Sequence, residues 1–343
     1  VNFAVDLNML KHYNIPIFIP ELACPFRCVF CNQRKISGHI SIPSSDDIIK
    51  IVNEHLVSFK HFPRKVDIAF FGGNFTGIPV EEQESYLKLV EPYVLSSQVD
   101  GIRVSTRPDY INDDVLTLLQ NYHVTTIELG AQSFDDQVLH RSRRGHTASQ
   151  IAQASKMILE RGFELGLQMM IGLPGDSLMA ALHTAQSIVS LGATSTRIYP
   201  TVVIRDTLLH QWYNEAKYQP LSLEDAVVWT AQLLPVFEEA NIEILRVGLH
   251  PSEGLVIGKE LIAGPFHPQF RELVLSEIWR KQLKNEILDK TANKLEIQVA
   301  TGQMNYAIGF KKSNKLWLNT RFKEVTFLEN NQLVNRDFKL IMG

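Results

Sequence analysis

Cys24-Pro-Phe-Arg-Cys28-Val-Phe-Cys31 follows closely on Ile15-Pro-Ile-Phe-Ile19, an apolar run of β type. The chain has 343 residues and 3 cysteines, and this loop holds all of them, so none is left for a disulfide elsewhere. Three thiolates this close can converge on one inorganic centre and leave it one protein ligand short of four. An open coordination position is where chemistry takes place. Three readings compete. A structural zinc site would need a fourth ligand from a distant His or acidic residue, and the spacing of His39, the nearest histidine, does not mark it as one. A redox or nucleophilic cysteine needs only one or two thiols. A 4Fe–4S cluster held by Cys24, Cys28 and Cys31 uses all three and leaves one iron free. Packing alone gains nothing from gathering three cysteines in one turn-forming loop.

Outward from the loop, β-type runs alternate with longer amphipathic stretches. Strands are expected at Ile15–Ile19, Val66–Phe71, Ile102–Thr106, Thr126–Gly130, Leu165–Ile171 and Arg197–Val202. Helices are expected between them at 45–59, 80–94, 111–120, 147–161 and 176–191. Ser44-Ser45-Asp46-Asp47 and Ser149 offer N-terminal caps, and Gly162 and Gly192 follow helix ends. This alternation predicts an α/β fold with a parallel sheet of right-handed βαβ units. Six units fit a partial (β/α)6, TIM-like barrel, whose functional groups gather on the loops after the strand C-termini. The Cys loop occupies such a position. After Pro200 come helical patterns near 222–240 and 269–287, separated by a Gly/Pro/His-rich loop from Gly248 to Pro268. Leu295–Ala300, Ala307–Phe310 and Lys315–Leu318 then read as β-type segments of a small module. The expected organisation is a barrel over 1–245 and a C-terminal α+β module over 246–343.

Further segments fall on the expected rim. Gly72-Gly73-Asn74 follows the second strand, where two glycines let backbone approach a ligand closely. Alternation puts Ser105 and Arg107 on one face of the third strand, and Glu128, Gly130 and Gln132 on one face of the fourth. Polar side chains pointing into a barrel are costly unless paired, so they are expected to line a site. Arg143 and Arg144 offer two guanidinium groups for a carboxylate, although solvated arginines at a helix start would look the same. Gln168-Met-Met-Ile-Gly-Leu-Pro-Gly175 ends the fifth strand in a glycine-bounded turn.

The C-x3-C-x2-C spacing with Phe30 before the last Cys resembles the signature of the radical S-adenosylmethionine (SAM) superfamily. Ser105-Thr-Arg-Pro-Asp-Tyr110, Ile127-Glu-Leu-Gly-Ala-Gln-Ser133, Arg144-Gly-His-Thr147 and Gly172-Leu-Pro-Gly175 together resemble the radical domain of the Elongator catalytic subunit and its bacterial relatives. They are similar, more distantly, to oxygen-independent coproporphyrinogen oxidases. The likeness covers about residues 12–205. It implies an enzyme whose three-cysteine 4Fe–4S cluster binds SAM and cleaves it reductively to a 5′-deoxyadenosyl radical. It also implies a flavodoxin- or ferredoxin-like electron donor. By matching segments, the backbone of Gly72 and Gly73 receives the methionyl amine, beside Asn74 where many relatives carry an acid. Arg144 would hold the SAM carboxylate, Ser105 and Gln168 would face its sugar and methionyl parts, and Gln132 is a further contact. Residues 250–343 offer no glycine-rich acyl-CoA loop, so the acetyl-dependent tRNA reaction is not carried over. A haem- or porphyrin-handling protein is the alternative, although Asn32-Gln33 stand where such relatives carry a further Cys or an aromatic. A zinc-dependent nucleic-acid-binding module is a third reading.

Composition leaves the substrate open between RNA and a small metabolite. Residues 260–343 carry 13 Lys+Arg against 9 Asp+Glu, whereas 1–259 carry 21 against 28, for a net charge of −3. That is no global nucleic-acid footprint. No run of about 18 uncharged apolar residues exists, so no membrane span is expected. Val1-Asn-Phe-Ala-Val-Asp6 does not read as a signal peptide, and a cytoplasmic location is the expectation. Two His-Pro pairs, at His250 and His267, could serve acid–base chemistry or a rigid connector.

Overall fold

The computed structural model describes residues 11–19, 28–32, 43–60, 63–249, 255–256, 258–287 and 292–343. β1 (Lys11–Phe18), β2 (Arg64–Phe71), β3 (Gly101–Thr106), β4 (Val124–Gln132), β5 (Glu164–Ile171) and β6 (Ser195–Pro200) pair in parallel in chain order. All six expected strands are therefore present. The short β7 (Val203–Ile204) leaves the sheet. A seventh parallel strand, β8 (Glu243–Val247), joins the far side of β6. Its apolar run is short and broken by Arg246, and only Val247 is buried, which is why the periodicity did not mark it. Within the expected Gly/Pro/His-rich loop, β9 (Leu261–Ala263) pairs antiparallel with β7. The seven-stranded sheet curls into an open half-barrel whose edge strands are β1 and β8.

Each crossover carries helix: α1 (Ser45–Ser58), α2 (Val80–Leu95), α3 (Asp113–Asn121), α4 (Asp136–Arg141) with α5 (Ala148–Glu160), and α6 (Leu178–Ser190). α7 (Leu208–Asn214) and α8 (Leu223–Glu239) lead to β8. Ser44 caps α1 in a reciprocal box with Asp47, as expected. At α5 the cap is Thr147, boxed with Gln150; Ser149 lies inside the helix. The helix-facing rows of the strands, among them Ile15, Ile17, Ile68, Phe70, Ile102, Val104, Ile127, Leu129, Leu165 and Leu167, form the main apolar core. Strand alternation leaves the opposite rows facing the barrel interior.

α9 (Phe270–Ile287) serves two cores. Phe270, Val274 and Ile278 join the main one, and Trp279, Leu283 and Ile287 join a second. The second is closed by a three-stranded sheet of β10 (Lys294–Val299), β11 (Glu324–Glu329) and β12 (Phe338–Met342), with β10 in the middle. The β-type reading at 307–310 and 315–318 is corrected here: α10 (Met304–Ile308) and α11 (Ser313–Leu318) are helical. Short apolar runs read equally as strand or helix, and tertiary anchors decide. Here Asn314, on α11, donates to the carbonyls of Ser276 and Ala307 at 2.9 and 3.2 Å. Among the described residues, no helix is long and apolar enough to cross a membrane.

Candidate cofactor site

The second half of the Cys loop is clamped by backbone. Val29 N donates to Ser142 O at 3.1 Å, Leu209 N donates to Val29 O at 2.7 Å, and Cys31 N turns back to Cys28 O at 3.1 Å. The Val29 side chain packs with Val203, Leu209 and Tyr218. This leaves Cys28 buried and Cys31 half-buried, with neither in a disulfide. Cys24, His39 and His250 lie outside the described residues.

Around Cys28 the ends of β4 and β5 bring together residues far apart in sequence. Arg144 Nη1 lies 3.3 Å from Cys28 Sγ, and its Nη2 donates to Gly130 O at 2.6 Å. Gln168 Nε2 donates to Gln132 Oε1 at 3.2 Å. A Cβ at Gly130 would fall 2.7 Å from Arg144 Nη2 and 3.0 Å from Gln132 Nε2, so the missing side chain is what admits both. Gln132 adopts a left-handed backbone (φ 69°), a strain that persists where the surroundings over-determine it. The two adjacent arginines separate: Arg143, also left-handed, is exposed, and only Arg144 faces the cysteine.

Arg144 is itself braced. Arg107 forks onto Asp109 through Nε and Nη2, both at 2.9 Å, and donates from Nη2 to Arg144 O at 2.7 Å. His146 Nε2 donates to Ala131 O at 3.3 Å. Burial, with Arg144 and Arg107 nearby, lowers its pKa to about 3, so the ring is neutral at ordinary pH.

At the end of β2 the glycines are required. Gly72 has φ 118°, and a Cβ there would lie 2.1 Å from Ile19 O. Gly73 has φ 131°, and among the described residues no atom lies within 4 Å of where its Cβ would fall. Asn74 Oδ1 accepts from Thr106 Oγ1 at 2.7 Å and from Arg107 N at 3.3 Å. Its Nδ2 is buried without a hydrogen-bond partner among the described residues, as is Arg144 Nε. Ser105 is half-buried and stands in register with Glu128.

Glu128 does not line a vacant site as expected; it is the centre of the barrel floor. Its carboxylate accepts from Arg103 Nη1 at 2.9 Å, Arg197 Nε at 2.8 Å and Arg197 Nη2 at 3.2 Å. Burial opposes its charge, but Arg197 and Arg103 hold the carboxyl below the usual range. Arg103 continues to Asp67 at 3.5 Å, and Asp67 accepts from His12 Nε2 at 2.7 Å. Burial disfavours the His12 cation, yet Asp67 and Glu243 push its pKa up to about 9. Periodicity could place these groups inside but could not pair them.

The turn after β5 is locked by Asp176, which accepts from Gly172 N and Ser177 N, both at 2.8 Å, and by Tyr218, whose hydroxyl donates to Gly172 O at 2.6 Å. Burial raises Asp176 to about 6. His267 lies just before α9: its Nδ1 accepts from Gln269 N at 3.0 Å, and its ring meets Phe310 edge-on.

Residues 19–188 match the sequence profile of the Radical SAM superfamily, and residues 193–280 match that of the Radical SAM C-terminal domain. The chain belongs to the radical SAM superfamily. An uncharacterised Methanocaldococcus jannaschii protein is 32% identical over 62% of this chain and 67% of its own length. A tRNA uridine(34) acetyltransferase of Dehalococcoides mccartyi is 23% identical over 60% of this chain and 52% of its own. Human Elongator complex protein 3 is 26% identical over 71% of this chain and 47% of its own. The chain thus spans about half to two thirds of these curated relatives. In fold it is similar to the Elp3 of Methanocaldococcus infernus lacking its N-terminus, with a TM-score of 0.62, 17% identity, and coverage of 80% of this chain and 64% of that one. Radical SAM membership makes the chain an enzyme of this kind and implies SAM and an iron–sulfur cluster. The residues present fit that cofactor pair: among the described residues there are a thiol beside a buried guanidinium, a glycine cradle that no described side chain fills, and two buried donors without a partner.

Proposed function

We propose that Cys24, Cys28 and Cys31 hold a 4Fe–4S cluster, with SAM bound between the Gly72–Gly73 backbone and the Arg144 group. With both bound and an electron supplied by a flavodoxin- or ferredoxin-like donor, the cofactors supply homolytic cleavage of SAM and a 5′-deoxyadenosyl radical for hydrogen abstraction. The observation that carries this reading is Arg144 reaching Cys28 from beside Gly130, where Gln132 and its partner Gln168 also stand. Arg144 would neutralise the SAM carboxylate through its spare Nε. Asn74 Nδ2 would donate to the ligand from the β2 end, while the missing side chain at Gly73 would let backbone reach the amine. Gln132, Gln168 and Ser105 would orient the sugar and methionyl parts. Neutral His146 adds no competing positive charge next to Arg144.

RNA is the preferred substrate class. Its support is the names of relatives that are tRNA uridine(34) acetyltransferases and Elongator subunits, together with the mildly basic C-terminal segment. A cytoplasmic location goes with it. Anaerobic iron–sulfur reconstitution, followed by dithionite and SAM, tests the reaction class: 5′-deoxyadenosine should be released. Stoichiometric zinc with rejection of iron and sulfide would overturn the proposal. Arg144→Ala should keep iron content and lose SAM affinity.

A further inference from the structure

β8 carries a break in register that moves one charge. Ser195 pairs with Glu243 and Thr196 with Ile244, but Arg197 then pairs with Arg246, skipping Leu245. Uninterrupted pairing would place Leu245 beside Arg197 on the barrel face and turn Arg246 toward the helices. The extra residue reverses that, and bulges next to active sites commonly re-aim a side chain in this way. Because Gln168 pairs with Arg197, the row Gln168–Arg197–Arg246 runs across three strands on the barrel-facing side. Neighbouring strands are about 4.8 Å apart, so Arg246 sits about 10 Å from Gln168 in Cα terms.

Among the described residues, the charge inside the barrel does not balance at Arg246. Glu128 is saturated by Arg103 and Arg197, and Asp67 and Glu243 are met by His12. Among the described residues no carboxylate pairs with Arg246, whose Nε donates to Gly248 O at 3.1 Å, two residues along. Half-buried, it stands in register with the like-charged Arg197, and Tyr199 lies two residues beyond Arg197 on the same face of β6. A bulge that turns a half-buried guanidinium inward beside a second one, with no carboxylate pairing it among the described residues, leaves donors open to an anionic ligand.

We propose that Arg246, Arg197 and Tyr199 form an oxyanion-binding locus at the β8 edge of the barrel, which takes a phosphate or carboxylate group of the substrate. It rests on the reading of the Gln168 end of the row as part of the SAM site. Arg246 supplies free donors, Arg197 adds charge while staying bound to Glu128, and Tyr199 donates from its hydroxyl. The β8 edge is where a substrate too large for the barrel can leave its anionic group while its reacting carbon faces Gln168.

The test is arginine labelling of the full-length chain by phenylglyoxal, read residue by residue by peptide mass spectrometry. Inorganic phosphate and acetate are titrated in separate arms at ionic strength held constant with sodium chloride. An anion that occupies the locus slows labelling by 1 + [L]/Kd, about tenfold at ten times its Kd. Arg246 should slow in one arm or both, which also names the preferred oxyanion, while exposed Arg143 keeps its rate. Equal labelling of Arg246 in phosphate, acetate and chloride would overturn the proposal. In a second measurement, Arg246→Gln should abolish the phosphate- or acetate-dependent rise in melting temperature of the wild type; persistence of the full rise would also overturn it. Neither measurement involves SAM cleavage, so failure here is distinct from failure of the cofactor reading, which protection of Arg144 by added SAM reports separately.

Discussion

Glu128→Gln keeps the shape of the side chain and removes the one charge on which two buried arginines converge. Arg103 and Arg197 are then left facing an amide whose nitrogen is itself a donor. Removing one member of a buried ion pair costs about 3–5 kcal/mol, chiefly because the partners stay desolvated. The low end, about 3 kcal/mol, is expected, since Arg103 keeps Asp67 at 3.5 Å and the amide oxygen still accepts. Urea unfolding at neutral pH reads this directly. The sign with pH is determined by the depressed carboxyl of Glu128. Its contribution is fully present above the unfolded value near 4.3 and is lost as pH falls through the folded value, so wild type and variant should converge in acid. Because Arg197 shares the carboxylate, Glu128→Gln with Arg197→Gln should cost at least about 1 kcal/mol less than the sum of the single changes. A single-variant loss under about 1 kcal/mol, or strict additivity, would refute the floor as an energetic unit.

His12, with its pKa raised to about 9, contributes stability that is complete below its unfolded value near 6.5 and fades as pH rises through 9. The wild-type urea midpoint should therefore drop across that window more than that of His12→Gln; parallel pH profiles would contradict the pairing with Asp67. Gly72→Ala drives a Cβ onto the Ile19 carbonyl, which no side-chain rotation relieves, in a backbone region hostile to alanine. A loss of about 3 kcal/mol or more in urea unfolding is expected, and a change below about 1 would show that the loop simply shifts. Arg107→Gln should weaken SAM binding about tenfold, equivalent to about 1.4 kcal/mol, with iron content unchanged, because Arg144 loses its brace. Equilibrium dialysis with reconstituted protein measures it, and an unaltered affinity would remove Arg107 from the support of the site.

The strand–helix alternation was readable because helix-facing rows such as Ile68–Phe70 and Ile102–Val104 repeat at the period of a strand. The same alternation placed Glu128 and Gln132 inside, yet gave them the same prospect. One is saturated by arginines 25 and 69 positions away, while the other stands beside Gly130 with the arginine that reaches Cys28. Arg143 and Arg144 also looked equivalent. A single left-handed residue divides them, and nothing local announces it. The helices at Met304–Ile308 and Ser313–Leu318 were misread as strands because five or six residues are too few to show a period.

What the sequence by itself determined is the cysteine loop, the parallel α/β order and the turns that bring glycine to strand ends. These depend on spacing and periodicity, which are local. Only the tertiary structure decided which inward charges cancel and which remain available. Pairing energy inside a barrel depends on distances between strands far apart in the chain, and a single skipped residue at Leu245 changes which face a charge occupies.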